Sequence, residues 1–162
     1  MEEVEGQLPI GEPPRGMYPS RLDDKGRMKM PAAFQQWISA LPEKRLFVTS
    51  RDRRIAQIYP IAVWRQNEKF FRENRANIAA VKKIAFNTAD LGAEAEMDSQ
   101  GRITFHPELR RELGLEDQTL RLQAAPSGRV DVLSERMYEE QKRLAMSITE
   151  EELNGVEADG LV

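Results

Sequence analysis

Leu22-Asp23-Asp24-Lys25-Gly26-Arg27-Met28-Lys29-Met30-Pro31 is answered further along the chain by Met97-Asp98-Ser99-Gln100-Gly101-Arg102-Ile103-Thr104-Phe105-His106-Pro107. Both stretches contain Asp-x-x-Gly-Arg, and the aspartates, glycines and arginines each recur at 75 residues (98 − 23, 101 − 26, 102 − 27). Constant spacing across three unlike residue types is the mark of an internal duplication. Each copy places a polar corner before an alternating apolar segment, Met28 and Met30 in one and Ile103 and Phe105 in the other. Glycine supplies the positive φ of a tight turn, and alternation makes one buried strand face. A proline then suits the first turn of a helix. The spacing predicts strand, turn, strand and helix in each copy, with the two strands paired as a hairpin.

Outward from these corners the grammar repeats. Phe34, Trp37, Ile38 and Leu41 follow a helical rhythm that Pro42 stops. Leu46 to Thr49 and Ile55 to Tyr59 predict a second hairpin around Ser50-Arg51-Asp52-Arg53-Arg54, and Pro60 opens a helix expected to reach about Phe86 with a break near Asn74 to Asn77. In the second half, Leu109 and Leu113 mark a short helix ended by Gly114. Strands are expected at 120–124 and 130–133, and a last helix from Glu135 to about Met146.

The duplicated stretch resembles the MraZ family, bacterial relatives of AbrB-type DNA-binding proteins, whose two halves each carry an Asp-x-x-x-Arg motif. Here these are Asp23 to Arg27 and Asp98 to Arg102, supported by Met17-Tyr18-Pro19, by residues 91–98 and by Pro107-Glu108-Leu109-Arg110. The resemblance covers roughly residues 16–147. It implies an α+β fold, a double-split β-barrel of swapped-hairpin AbrB-like halves duplicated in one chain, with flanking helices. The expected division is an N-terminal extension without order at 1–15, a first half at 16–88, a second at 89–147 and an acidic C-terminal tail at 148–162.

The chain carries 24 Lys and Arg against 27 Asp and Glu, a net charge of −3, so any affinity for nucleic acid depends on distribution. Residues 20–54 hold nine bases and four acids, whereas residues 94–118 hold three bases and seven acids. A phosphate backbone prefers the first half. With no cysteine and a single histidine, His106, neither disulfides nor a dedicated metal cluster is expected, and no cofactor is implied. The absence of a long apolar run and the polar start Met1-Glu2-Glu3-Val4-Glu5 predict a cytoplasmic protein with no membrane partner.

The resemblance assigns DNA contact to Arg27, with Lys25 beside it, Lys29 on the following strand and Arg102 in the second corner. Asp23, Gly26, Asp98 and Gly101 are expected to shape the loops. Gln100 stands where the first corner has Lys25, and Val130-Asp131-Val132-Leu133-Ser134 lacks the family's aromatic ending, so the first corner is expected to lead. Two alternatives stay open from the residues themselves: the arginines could pair internally with the aspartates, and the aspartates could serve the fold only.

The implied function is sequence-specific transcriptional regulation, as a repressor, by a ring-shaped homo-oligomer. Its target would be short direct repeats of double-stranded DNA before a cell-division and cell-wall gene cluster, giving a nucleoid-associated location. The competing reading is an oligomeric protein-interaction scaffold with weakened DNA binding, favoured by the acidic balance. Catalysis on a small-molecule substrate is not expected. There is no phosphate loop and no nucleophile elbow, and each candidate carboxylate has an arginine four residues on that keeps it ionised.

Overall fold

Gly26 and Gly101 both adopt φ +78°, the left-handed conformation the Asp-x-x-Gly-Arg corners require. They lie in a computed structural model that describes residues 11–162. Of the N-terminal extension, residues 1–10 fall outside the described residues. Residues 11–15 carry no regular structure, although the Trp37 indole donates to the Gly11 carbonyl at 3.2 Å.

The order of elements repeats across the midpoint. The first half runs β1 (Met17–Ser20), β2 (Arg27–Lys29), α1 (Ala32–Ser39), β3 (Arg45–Thr49), β4 (Ala56–Pro60) and α2 (Ile61–Glu73). α3 (Ile78–Leu91) bridges to β5 (Ala93–Glu96), β6 (Arg102–Thr104), α4 (Pro107–Leu113), β7 (Leu120–Ala124), β8 (Val130–Leu133) and α5 (Glu135–Ala145). α3 runs five residues beyond the expected end at Phe86, and the break at 74–77 falls where asparagines were read as an interruption.

The strands pair differently from the simplest reading. β3 with β4 and β7 with β8 form the expected antiparallel hairpins. β1 and β2 do not: apart from an isolated bridge between Leu22 and Met28, β1 pairs with β7 and β2 with β6. In the same manner β5 pairs with β3 and β4 with β8. A three-residue strand buries too little by itself. Two such strands facing each other across the halves bring Met28, Met30, Ile103 and Phe105 into one core, where each is at most 1% exposed.

The result is α+β: a six-stranded antiparallel sheet ordered β1-β7-β8-β4-β3-β5, a separate β2–β6 ribbon, and helices. Phe34 and Ile38 from α1, Leu109 from α4 and Leu115 just past its end complete the core beneath the ribbon. A smaller cluster of Tyr59, Ile61, Val63 and Trp64 lies on α2 and its sheet face, with Phe47 stacked on Trp64 at 4.7 Å between ring centroids. Within the stretch the sequence suggests is an acidic, solvated tail, the chain forms a further helix, α6 (Glu150–Ala158), all of whose residues are exposed.

Candidate nucleic-acid interface

Each corner is held by its own aspartate. The Asp23 side chain accepts from the backbone N–H groups of Lys25 (3.0 Å) and Arg27 (2.8 Å) through Oδ1 and from Arg27 Nε (2.8 Å) through Oδ2. Asp98 does the same with Gln100 (2.9 Å), the Arg102 backbone (2.8 Å) and Arg102 Nε (2.9 Å). Backbone bonds close both turns, Gly26 N–H to the Asp23 carbonyl and Gly101 N–H to the Asp98 carbonyl at 3.0 Å each.

The corners are also locked to each other. Met30 N–H donates to the Gly101 carbonyl and Phe105 N–H to the Gly26 carbonyl, both at 2.8 Å. A side chain from the opposite half lies over each glycine. A Cβ on Gly26 would sit 2.5 Å from the Arg110 guanidinium carbon, and one on Gly101 2.4 Å from the Gln35 amide carbon. Arg110 Nε in turn donates to the Phe105 carbonyl, and Gln35 Nε2 to the Met30 carbonyl, at 2.8 Å each. These braces escaped the reading of the motifs, though Gln35 and Arg110 also stand 75 residues apart, which was the available signal.

Both carboxyls are held below the ordinary aspartate range. The first cause is the backbone N–H of Arg27 or Arg102, which partial burial opposes and the guanidinium reinforces. A depressed folded pKa stabilises the corner above the unfolded value of about 3.9, and that contribution is lost as pH falls through the folded value. The corners are therefore expected to keep their shape down to about pH 5 and loosen below about 4. Acid unfolding followed by circular dichroism checks this: Asp23→Asn should flatten the decline below pH 4, and an unchanged acid limb would contradict it.

The arginines are neither free nor sealed. Arg27 and Arg102 are 27% and 26% exposed, each paired with its aspartate through Nε. Their terminal amino groups have no hydrogen-bond partner among the described residues. In the ribbon register Arg27 lies opposite Thr104, Met28 opposite Ile103 and Lys29 opposite Arg102. Because strand side chains alternate, Met28 and Ile103 point into the core while Arg27, Lys29, Arg102 and Thr104 share the outer face.

Tertiary structure also places Lys29 differently from its neighbours in sequence. Its Nζ donates to the Gln100 carbonyl at 2.7 Å, so the first half supplies a cation to the second corner, where Gln100 replaces lysine. Lys25 stands exposed at the tip of the first corner. Directly opposed like charges such as Lys29 and Arg102 are unfavourable across a ladder, and only Arg102 has a carboxylate beside it. A polyanion would relieve this excess. The chemistry available on this face is therefore cation donation to phosphate or base edges.

The 51–54 hairpin loop and the single histidine lie elsewhere. Arg53, at φ +61°, binds Asn87 (2.8 Å) and Asp90 (2.6 Å) with Glu112 at 3.4 Å, and Arg54 binds Glu140 at 2.9 Å, so the 51–54 cluster ties elements together. His106 caps the start of α4 with Nε2 2.6 Å from the Leu91 carbonyl oxygen. No group of His, Asp or Glu among the described residues could hold a metal ion, and no described helix is long and apolar enough to cross a membrane.

The chain is similar to proteins named transcriptional regulator MraZ. It is 37% identical over 98 residues to that of Acidobacterium capsulatum, covering 60% of this chain and 66% of that one. To that of Koribacter versatilis it is 35% identical over 99 residues, covering 60% and 67%. To that of Acidithiobacillus ferrooxidans it is 31% identical over 102 residues, covering 60% and 68%. The matched part thus spans about two thirds of each relative's length, and no family model matches the chain. With two halves of like element order, two aspartate-held arginine corners and this identity to several relatives, the chain belongs to the MraZ family.

Proposed function

We propose that this chain is a DNA-binding transcriptional regulator whose contact surface is the outer face of the β2–β6 ribbon. The observation that carries the reading is the set of Arg27, Lys29 and Arg102 on one face of a two-stranded ribbon, with Lys25 at its tip and no apolar residue among them. A ribbon of this width fits the major groove of B-DNA. Asp23 and Asp98 hold each guanidinium by Nε, so the terminal amino groups are presented in a fixed orientation and lose little freedom on contact.

Two AbrB-like halves, at 16–88 and 89–147, duplicated and folded as a double-split barrel, account for the matching corners and the exchange of strands between halves. One ribbon offers few contacts, so the regulator works as a ring whose protomers touch successive short direct repeats, each weak contact multiplied by the others. By family the repeats lie upstream of the cell-division and cell-wall gene cluster, and binding there represses transcription in the nucleoid.

Footprinting the full-length protein on its own upstream DNA tests the reading. Protection is expected at regularly spaced repeats and is lost when the repeats are scrambled; equal protection of scrambled DNA would overturn it. Salt dependence assigns the ribbon. Each phosphate contact contributes about 0.9 to the slope of log affinity against log salt. Lys29→Met should therefore lower that slope by about 0.9 per engaged ribbon. An unchanged slope would remove Lys29 from the interface.

A further inference from the structure

We infer that α6 is an assembly latch, the helix by which one copy of this chain docks into the groove between α2 and α3 of the next. The inference rests on the ring proposed above and names the contact that would build it. α6 is closed at both ends by local bonds. Thr149 and Glu152 form a reciprocal capping box, and Gly160 at φ +126° ends the helix with Leu161 N–H donating to the Val156 carbonyl at 3.3 Å. Yet no residue of the helix is buried, and Leu153, Val156 and Leu161 are 44%, 49% and 52% exposed. A nine-residue helix has marginal stability alone in water. Leu153 and Val156, three residues apart, present an apolar edge left exposed among the described residues.

An aromatic groove flanked by net-basic helices lies on the other half. The groove between α2, α3 and the outer part of β3 has a volume of about 360 Å³ and is lined by Phe47, Ile61, Trp64 and Phe71, with Arg45 and Arg65 balanced by Glu68 and Glu94 around it, both arginines being ion-paired within the chain. The chain from Ile61 to Leu91 carries six bases and three acids. The segment from Ser147 to Val162 carries five acids and no base. An acidic helix with an aliphatic edge suits an aromatic groove whose flanking helices are net basic, with the apolar residues supplying most of the affinity and the field of the helix pair the orientation. Because donor and receptor are different surfaces, the contact is head-to-tail and closes into a ring when the rotation allows.

The chain contains no cysteine, which makes the contact directly addressable. Full-length Leu153→Cys is mixed with full-length Glu68→Cys, a groove residue on α2, and oxidised mildly. A disulfide-linked heterodimer on a non-reducing gel is expected. Cross-linking only between two Leu153→Cys copies, or within a chain carrying both substitutions, or none at all, would overturn the latch. Light scattering gives the second measure. Leu153→Asp with Val156→Asp alters exposed positions only, so the thermal melt should hold while assembly weakens at least about ten-fold. An unchanged multimer mass would overturn the latch and leave the ring standing. A wild-type protein that is monomeric at every concentration would overturn the ring, and the latch with it.

Discussion

Arg27→Ala is expected to abolish specific binding to the upstream repeats while leaving the mass of the assembly unchanged. Arg27 lies on the outer face of the ribbon, away from the core contacts of Met28, so its truncation removes the proposed DNA contact and no core packing. A good bidentate contact discriminates between bases by about 1–3 kcal/mol, and the proposed ring would lose it once per engaged protomer. Removing Arg27 also leaves the Asp23 carboxylate on the same face without its guanidinium, a repulsive element toward phosphate. Asp23→Asn combined with Arg27→Ala separates the two effects: binding recovers in part if repulsion contributes and stays absent if the lost contact is the whole cause. Gel shifts on repeated against scrambled DNA make the measurement, and undiminished preference for the repeats in Arg27→Ala would remove this residue from the reading.

The second large effect is on stability. Phe105 is fully buried in the core beneath the ribbon, alongside Met28, Phe34, Ile103 and Leu109. Its backbone joins the corners, since its N–H donates to the Gly26 carbonyl and its carbonyl accepts from Arg110 Nε. Phe105→Ala keeps those backbone bonds and empties the side-chain volume, which costs about 3–5 kcal/mol in a core that does not collapse. Folded domains hold only about 5–15 kcal/mol in total, so the variant should unfold at a much lower urea midpoint. The neighbouring Thr104→Ala, exposed on the outer face, should change stability by no more than about 0.5 kcal/mol. Urea titrations of both at one fixed protein concentration, as assembly demands, make the comparison. A loss below about 1 kcal/mol for Phe105→Ala would contradict the packing described here.

The features legible in the chain were those made by residues close together in sequence. Asp23 and Asp98 each bond to backbone groups two and four residues ahead, so the corner is a local object and its motif announces it. The helix beginning at Glu135 is equally local, since Ser134 accepts from the Met137 N–H. The hairpin expected between β1 and β2 misled because turn chemistry specifies a change of direction and not which strand lies alongside. The acidic terminus is solvated, as its charge suggests, and the helix within it follows from the capping box at Thr149 and Glu152, again a local device.

The sequence by itself determined the 75-residue repeat, the aspartate-held arginine corners, the positive φ at Gly26 and Gly101 and the amphipathic helices, because each follows from interactions within a few residues. Only the tertiary structure decided that β2 pairs with β6, that Arg110 and Gln35 brace the opposite half's glycines, and that Lys29 supplies a cation to the second corner in place of the one Gln100 lacks. These contacts join residues 66 to 84 positions apart (101 − 35 and 110 − 26). They form because neither half can bury its short strand alone, so the hydrophobic faces of both must meet, and the outward charges are carried together as a consequence.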